Sequence, residues 1–389
     1  MQSGERHFDA IVIGAGIMGS CTAYQLSKAG VKTLLVEQFP RGHSKGSSHG
    51  ASRIIRYAHT SPIYLPLAKD AYEEWDKLAE ESGKTLYRSC GMLWLSDRAS
   101  TLERAKILKQ YNVEHEVLTG KQISERYPHL SYDDNWFGLL DKRGGVSYAD
   151  RCLEAAQERF MKRGGVLKFG EEVLNIVHGE LVQVVTSGGV YSTKRLVVTA
   201  GGWLNQLLPN LPVKTEAIAH HIGVNFWNVK GNYDFFKPEN NSPTLIINDG
   251  VDELFMIPNV DYDGKAKFGI HLGVPIHPSR PLKTPPEWMH SISAKHITEH
   301  IPDLDASSVP AIRDTCLYTM THDNDFIIDR HPDYDNVFIG GGFSGTGFKF
   351  SLTVGKILTR MVLGLSNDTF DLTPFKATRK IDPNVKACL

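Results

Sequence analysis

The sequence predicts a mixed α/β (α+β) fold. An α/β domain with a parallel sheet is interleaved with a second domain built on a large, mostly antiparallel sheet. Three observations predict it. A glycine-rich strand–helix–strand unit opens the chain at residues 10–36, and a strand, glycine-rich loop and helix return at residues 337–363. Between them, residues 224–271 read mostly as strand, broken by Asn-, Asp- and Gly-rich turns. Signals of one kind at both ends place one domain at residues 1–90, 145–212 and 315–389. The other takes residues 91–144 and 213–314.

In the opening unit, Ala10-Ile11-Val12-Ile13 is the short apolar, β-branched run of a buried parallel strand. Ile17, Cys21 and Tyr24 then recur at helical spacing until Gly30 stops the helix, and residues 31–36 form a second strand. Residues 67–82 are amphipathic, with Leu67, Ala71, Trp75 and Leu78 on one face. Residues 194–199 read as another buried strand. Near the C-terminus, residues 337–339 are a strand, 340–347 a glycine-rich loop and 352–363 a helix.

Composition narrows the functional classes. The chain has 389 residues, 41% hydrophobic and 22% charged, with 43 basic against 44 acidic side chains. That balance argues against a general nucleic-acid binder and against polybasic membrane attachment. No run reaches the roughly 18 apolar residues that a bilayer span needs, and the polar start predicts no secretory leader. Five cysteines in a chain this long make a disulfide framework unexpected.

Gly14, Gly16 and Gly19 fit the pattern G-x-G-x-x-G between that strand and helix. The glycines allow a sharp turn, close approach of backbone to a pyrophosphate, and tight helix–strand packing. The helix N-terminus attracts the phosphates, and Glu37 at the end of the second strand can accept hydrogen bonds from ribose hydroxyls. This predicts a Rossmann-like dinucleotide site. The unit alone does not choose between FAD and NAD.

Longer motifs make that choice. They are Gly46-Ser47-Ser48-His49-Gly50-Ala51-Ser52-Arg53-Ile54-Ile55-Arg56, Thr315-Cys316-Leu317-Tyr318-Thr319, Phe326-Ile327-Ile328-Asp329-Arg330-His331-Pro332 and Gly342-Phe343-Ser344-Gly345-Thr346-Gly347-Phe348-Lys349-Phe350. Together, in this order and over nearly the whole chain, they resemble the monomeric and peroxisomal sarcosine (L-pipecolate) oxidase family of flavin amine oxidases.

The resemblance implies a Rossmann-like FAD-binding domain and an oxidase of secondary amino acids. Such an oxidase passes a hydride to FAD, lets water hydrolyse the imine and gives hydrogen peroxide with oxygen. It implies FAD held by a thioether to Cys316, although a lone cysteine taken by itself is more often an inert buried hydrophobe. Arg56 and Lys349 are implied to bind the substrate carboxylate, to which a guanidinium offers a matching fork. Arg53 is implied to lie against the flavin, with Ser47, His49, Gly345, Gly347 and Lys349 also at the cofactor. Lys267 is implied to activate oxygen, a buried ammonium stabilising the developing superoxide anion. Lys265 shares its face by period two, and the pattern alone does not separate them. His271 is implied beside the substrate and Tyr318 in the cavity wall.

Two positions depart from the family pattern. Thr346 stands where relatives usually carry histidine, and Phe255 falls where sarcosine oxidase has a cavity tyrosine. A less polar pocket predicts a larger or cyclic secondary amino acid, such as L-pipecolate or L-proline, over sarcosine. A fructosyl-amino-acid oxidase of the same family is an alternative. Rival readings are an NAD-dependent dehydrogenase, a silent flavoprotein and a zinc hydrolase. The last rests on His296-Ile297-Thr298-Glu299-His300, which fits H-x-x-E-H; no resident metal is expected. The expected partners are an amino acid and oxygen, with no nucleic acid or membrane, in a monomer. The expected compartment is cytoplasm or peroxisome, Ala387-Cys388-Leu389 being a weak form of a peroxisomal address.

Overall fold

The computed structural model describes residues 6–208 and 217–380. The boundary expected at 212/213 and the tripeptide at 387–389 lie outside them.

An eight-stranded sheet carries both ends of the described chain. His7–Ile13 pairs in parallel with Thr33–Glu37 on one side and Gly189–Val198 on the other. Val166–Phe169 and Val337–Gly341 extend the parallel part outward. Strands of this kind must be apolar on both faces, because helices cover them. Ile11, Val12 and Leu34 accordingly have no exposed surface. The helix Ile17–Lys28 packs against Ala149–Lys162 and against the C-terminal helix Ser351–Val362. Gly355 permits that last contact, since a Cβ there would lie 2.8 Å from the Cys21 carbonyl carbon.

Element limits shift for local reasons. The helix expected from residue 67 begins at Tyr64 and ends at Ser82. Pro66 sits in its first turn, where a backbone N–H has no helical partner to lose. The strand expected at 194–199 spans Gly189–Val198, because its first half pairs with Val182–Thr186 as a hairpin.

The β-rich middle forms a nine-stranded sheet. Its pairings are antiparallel except that of Met92–Ser96 with Thr244–Asn248. Residues expected as strand within 224–271 fall into Ile218–Asn228, Thr244–Asn248, Glu253–Ile257 and Lys265–Ile270. Leu254, Met256, Phe268 and Ile270 fill a core on one face, against Met289 and Ile297 of the helix Trp288–His300. By the alternation of strands, the residues between them face the other way. Ile312–Met320 crosses the boundary expected at 315 and pairs along its length with Ile218–Asn228. Cys316 and Tyr318 therefore stand on the antiparallel sheet.

His296 and His300 do share that covering helix, but the zinc reading finds no support. Among the described residues no His, Cys, Asp or Glu cluster could hold a metal. His296 Nε2 pairs with the Tyr132 hydroxyl at 3.0 Å, and His300 Nδ1 lies 2.9 Å from the Ser131 carbonyl.

Candidate active site

Two cavities meet where the sheets approach one another. The larger, ≈ 680 Å³, runs from the Gly14–Gly19 turn past Glu37 to Gly345 and Gly347. The smaller, ≈ 260 Å³, lies over the free face of the antiparallel sheet. His49, Gly50, Arg53, Tyr318, Gly345 and Phe348 line both.

The larger cavity fits a dinucleotide. A Cβ at Gly19 would collide with the Gly14 carbonyl oxygen, and Gly14 itself has φ +94, a conformation that favours glycine. Gly16 caps a helix with no acidic residue in its first turn, so its positive end is open to an anion. Glu37 accepts the Ala15 N–H at 2.9 Å and the Phe39 N–H at 3.0 Å. It thereby ties the glycine turn to the second strand, and each carboxylate oxygen keeps acceptor capacity for a ribose. Ser48, not singled out from sequence, accepts the Ile17 N–H at 2.9 Å. Ser47 lines this cavity and offers its carbonyl to Arg53 at 2.7 Å. His49 bridges the Gly46 and Thr315 carbonyls at 2.7 and 3.0 Å.

In the smaller cavity, burial shapes the chemistry. Arg56 and Lys349 are 5% and 4% exposed and both line it. Arg56 follows the strand Ser52–Ile55 and donates to the Ala58 carbonyl at 2.8 Å. Its guanidinium lies 4.6 Å from the Trp94 ring centroid, and Arg104 lies 4.3 Å from the same ring. Asp141, fully buried, accepts the Tyr57 and Ala58 N–H groups at 2.5 and 3.0 Å. The segment carrying Arg56 is thus pinned from behind. Burial brings the Arg56 pKa down to about 10. Burial, with the Arg56 charge beside it, pushes the Lys349 amine well below its ordinary value. Lys349 Nζ donates to the Thr346 carbonyl at 2.8 Å.

The loop before Lys349 is conformationally unusual. Ser344 has φ +44 and Gly345 φ +73. A side chain on Gly345 would collide with His271 and with the Tyr318 ring. Ser344 holds its strained backbone by accepting the Thr321 N–H at 3.1 Å. Thr346 lines the cavity, though its hydroxyl turns back to the Phe343 carbonyl at 3.4 Å. His271 and Tyr318 face each other with ring centroids 5.1 Å apart. Burial lowers the pKa of the first and raises that of the second.

Lys267, not Lys265, is the buried lysine of its strand, and it lines this cavity. Its Nζ donates to Asp261 at 2.8 Å and to the Ser52 hydroxyl at 2.7 Å. Burial pushes its pKa down while Asp261 pulls it up. Burial would raise the Asp261 carboxyl, but Lys267 and Ser52 hold it below its usual value. Cys316 lines the same cavity, and burial raises its thiol pKa against the pull of Arg53 and Lys267. Arg53 spreads over the Ser47, His49 and Ser52 carbonyls and lies 5.6 Å from the Phe348 ring. Phe255 completes the wall. Asp261, Asp141 and Trp94 carried no motif, and only packing brings them to the site.

The family model described as "FAD dependent oxidoreductase" (DAO) matches residues 9–361. A putative sarcosine oxidase of Caenorhabditis elegans is 38% identical over 96% of this chain and 97% of its own length. The peroxisomal sarcosine oxidase of Homo sapiens is 38% identical, covering 96% of each chain. Among solved structures, the open form of NikD, an amino acid oxidase of nikkomycin biosynthesis, superposes with TM-score 0.83 at 20% identity, over 96% of this chain and 98% of that one. An L-proline dehydrogenase of P. horikoshii gives 0.81 at 20% identity, over 96% and 97%. These two show the shared fold. With the glycine cradle, the acidic strand end and a family match over most of its length, the chain belongs to the FAD-dependent oxidoreductase (DAO) family and carries FAD as its cofactor.

Proposed function

We propose that the protein is an oxidase of secondary amino acids with oxygen as final acceptor, releasing hydrogen peroxide. The observation that carries this reading is the pair of buried cations, Arg56 and Lys349, in a cavity that joins the FAD cleft. Buried charges are costly unless paired, and a substrate carboxylate supplies the missing partner. When bound in the cleft, FAD would supply the two-electron acceptor for the amine's carbon–hydrogen bond.

The chain's own residues do the remaining work. Arg56 and Lys349 grip the carboxylate and set the substrate's orientation. The arriving negative charge favours the protonated form of Lys349, which burial and the Arg56 charge disfavour. The same cations favour the neutral, reactive form of the substrate amine. Tyr318, His271 and Phe255 close the cavity walls around the carbon that reacts. Lys267 holds a positive charge at Nζ where oxygen is reduced. Cys316 is the thioether link to FAD. In this reading the eight-stranded sheet with its helices is the cofactor domain. The nine-stranded sheet, including the strand that ends at Met320, is the substrate domain. The protein acts as a monomer, and the peroxisomal naming of its mammalian relatives favours the same compartment for it.

Peroxide release on adding sarcosine, L-proline or L-pipecolate tests the activity. With Thr346 and Phe255 making the pocket less polar, L-pipecolate or L-proline is expected to give the higher kcat/KM; a clear preference for sarcosine refutes that part. Acid precipitation tests the attachment. The wild-type pellet is expected to be yellow, and with Cys316→Ala the colour moves to the supernatant. A colourless wild-type pellet rules out the thioether.

A further inference from the structure

The smaller cavity carries three carboxylates among its cations. Two of them accept hydrogen bonds. Asp261 accepts from Lys267, Ser52 and the Ala51 N–H, and Asp314 accepts the Thr315 N–H at 2.7 Å. The third, Glu253, has a buried Oε2 with no hydrogen-bond partner among the described residues. It makes no ion pair with Arg56 among those residues either.

Strand geometry explains where this carboxylate points. Leu254 and Met256 enter the core beneath the sheet, so Glu253, Phe255 and Ile257 face the cavity. The Glu253 carbonyl accepts the His271 N–H at 2.7 Å, which sets the two residues side by side. One step along, the Phe255 ring lies directly over Gly269, and beyond it Ile257 pairs with Lys267. Phe255 therefore separates a Lys267 end from a Glu253 end. The Glu253 charge is felt by Arg56, His271 and Tyr318. It thus stands at the end where the substrate carboxylate docks.

We propose that Glu253 is a specificity residue that receives a second cationic group of the substrate, an ammonium or guanidinium remote from the reacting amine. This rests on the reading of the cavity as an amino-acid site. The physical reason is complementarity: an unpaired buried acceptor is unfavourable until a charged donor reaches it. Arg56 and Lys349 with an acceptor carboxylate beside them match a substrate whose carboxylate and second positive group both reach this end of the cavity. The substrate class is then secondary amino acids with a basic side chain.

Two measurements on the FAD-loaded enzyme test this. In turnover, Nα-methyl-L-lysine is compared with Nα-methyl-L-norleucine, which lacks only the terminal ammonium. Wild type is expected to favour the lysine derivative by about tenfold or more in kcat/KM, and Glu253→Gln to bring the ratio to about one. In binding, ω-amino carboxylates from β-alanine to 6-aminohexanoate are compared with the fatty acids of equal length, none of which carries an α-amine. At least one ω-amino acid is expected to bind about tenfold tighter than its fatty acid in wild type and to lose that advantage in Glu253→Gln. Equal binding of both series in wild type, or an advantage that survives in Glu253→Gln, overturns the proposal. If no amine yields peroxide yet the binding preference depends on Glu253, the carboxylate's role stands and the oxidase reading falls. If both methylated amines are oxidised equally well, the oxidase reading stands and the role of Glu253 falls.

Discussion

Replacing Lys267 with glutamine is expected to slow reoxidation of the reduced enzyme by oxygen by about 10²–10³, the usual cost of losing one preorganised electrostatic group. Reduction by the amine under anaerobic conditions is expected to change far less, because the proposed carboxylate site at Arg56 and Lys349 is left intact. The side chain is 5% exposed, so water cannot replace its charge. Its pKa is lowered by burial and raised by Asp261, 2.8 Å away. The ammonium is the useful form, so the oxidative step is expected to slow as pH rises through that lowered pKa. Asp261→Asn removes the counter-charge, which drops the pKa further and moves the decline to lower pH. Stopped-flow reoxidation across pH checks both. A wild-type rate flat with pH, or a Lys267→Gln enzyme that reoxidises normally, overturns the assignment.

Arg56→Met is expected to lower kcat/KM for the amine by roughly a hundredfold, close to the 3 kcal/mol that a charge-assisted contact with a carboxylate supplies. Lys349 remains as the second cation, so binding weakens and does not vanish. Arg56→Lys is expected to recover only part of the loss. A lysine lacks the planar fork and stacks less well on the Trp94 ring that now lies 4.6 Å from the guanidinium. Steady-state kinetics with the variants separates this from misfolding, because near-ultraviolet circular dichroism and FAD content should stay those of wild type. If Arg56→Met binds the amine normally, the carboxylate site lies elsewhere.

Much of this was legible in the residues because the relevant interactions are local. The turn from Gly14 to Gly19, the helix behind it and Glu37 lie within 24 residues of one another, and their spacing specifies their geometry. Longer motifs marked Arg53, Arg56, Cys316, Tyr318 and Lys349, all of which line the cavities. Other readings stayed open for physical reasons. Period two puts Lys265 and Lys267 on one face; the Gly-x-His spacing that follows favours Lys267, and the depth of each in the sheet separates them. The boundary expected at 315 fell within a strand, because sheet membership depends on the pairing partner, here Ile218–Asn228.

By itself, then, the sequence determined the α/β unit with its nucleotide cradle, the two interleaved sheets and the family to which the chain belongs. Periodicity and short-range steric rules decide the unit and its cradle within a few turns of backbone; the interleaving was read from signals at both ends of the chain, and the family from the resemblance of its long motifs. The tertiary structure alone decided how the charges in the cavity are balanced. Asp261 neutralises Lys267 from across a turn, Trp94 and Asp141 brace Arg56 from distant strands, and among the described residues Glu253 is left with an unpartnered oxygen. Those relations depend on which strands pair and how deeply each side chain is buried. Burial sets the cost of a charge, and no local pattern records it.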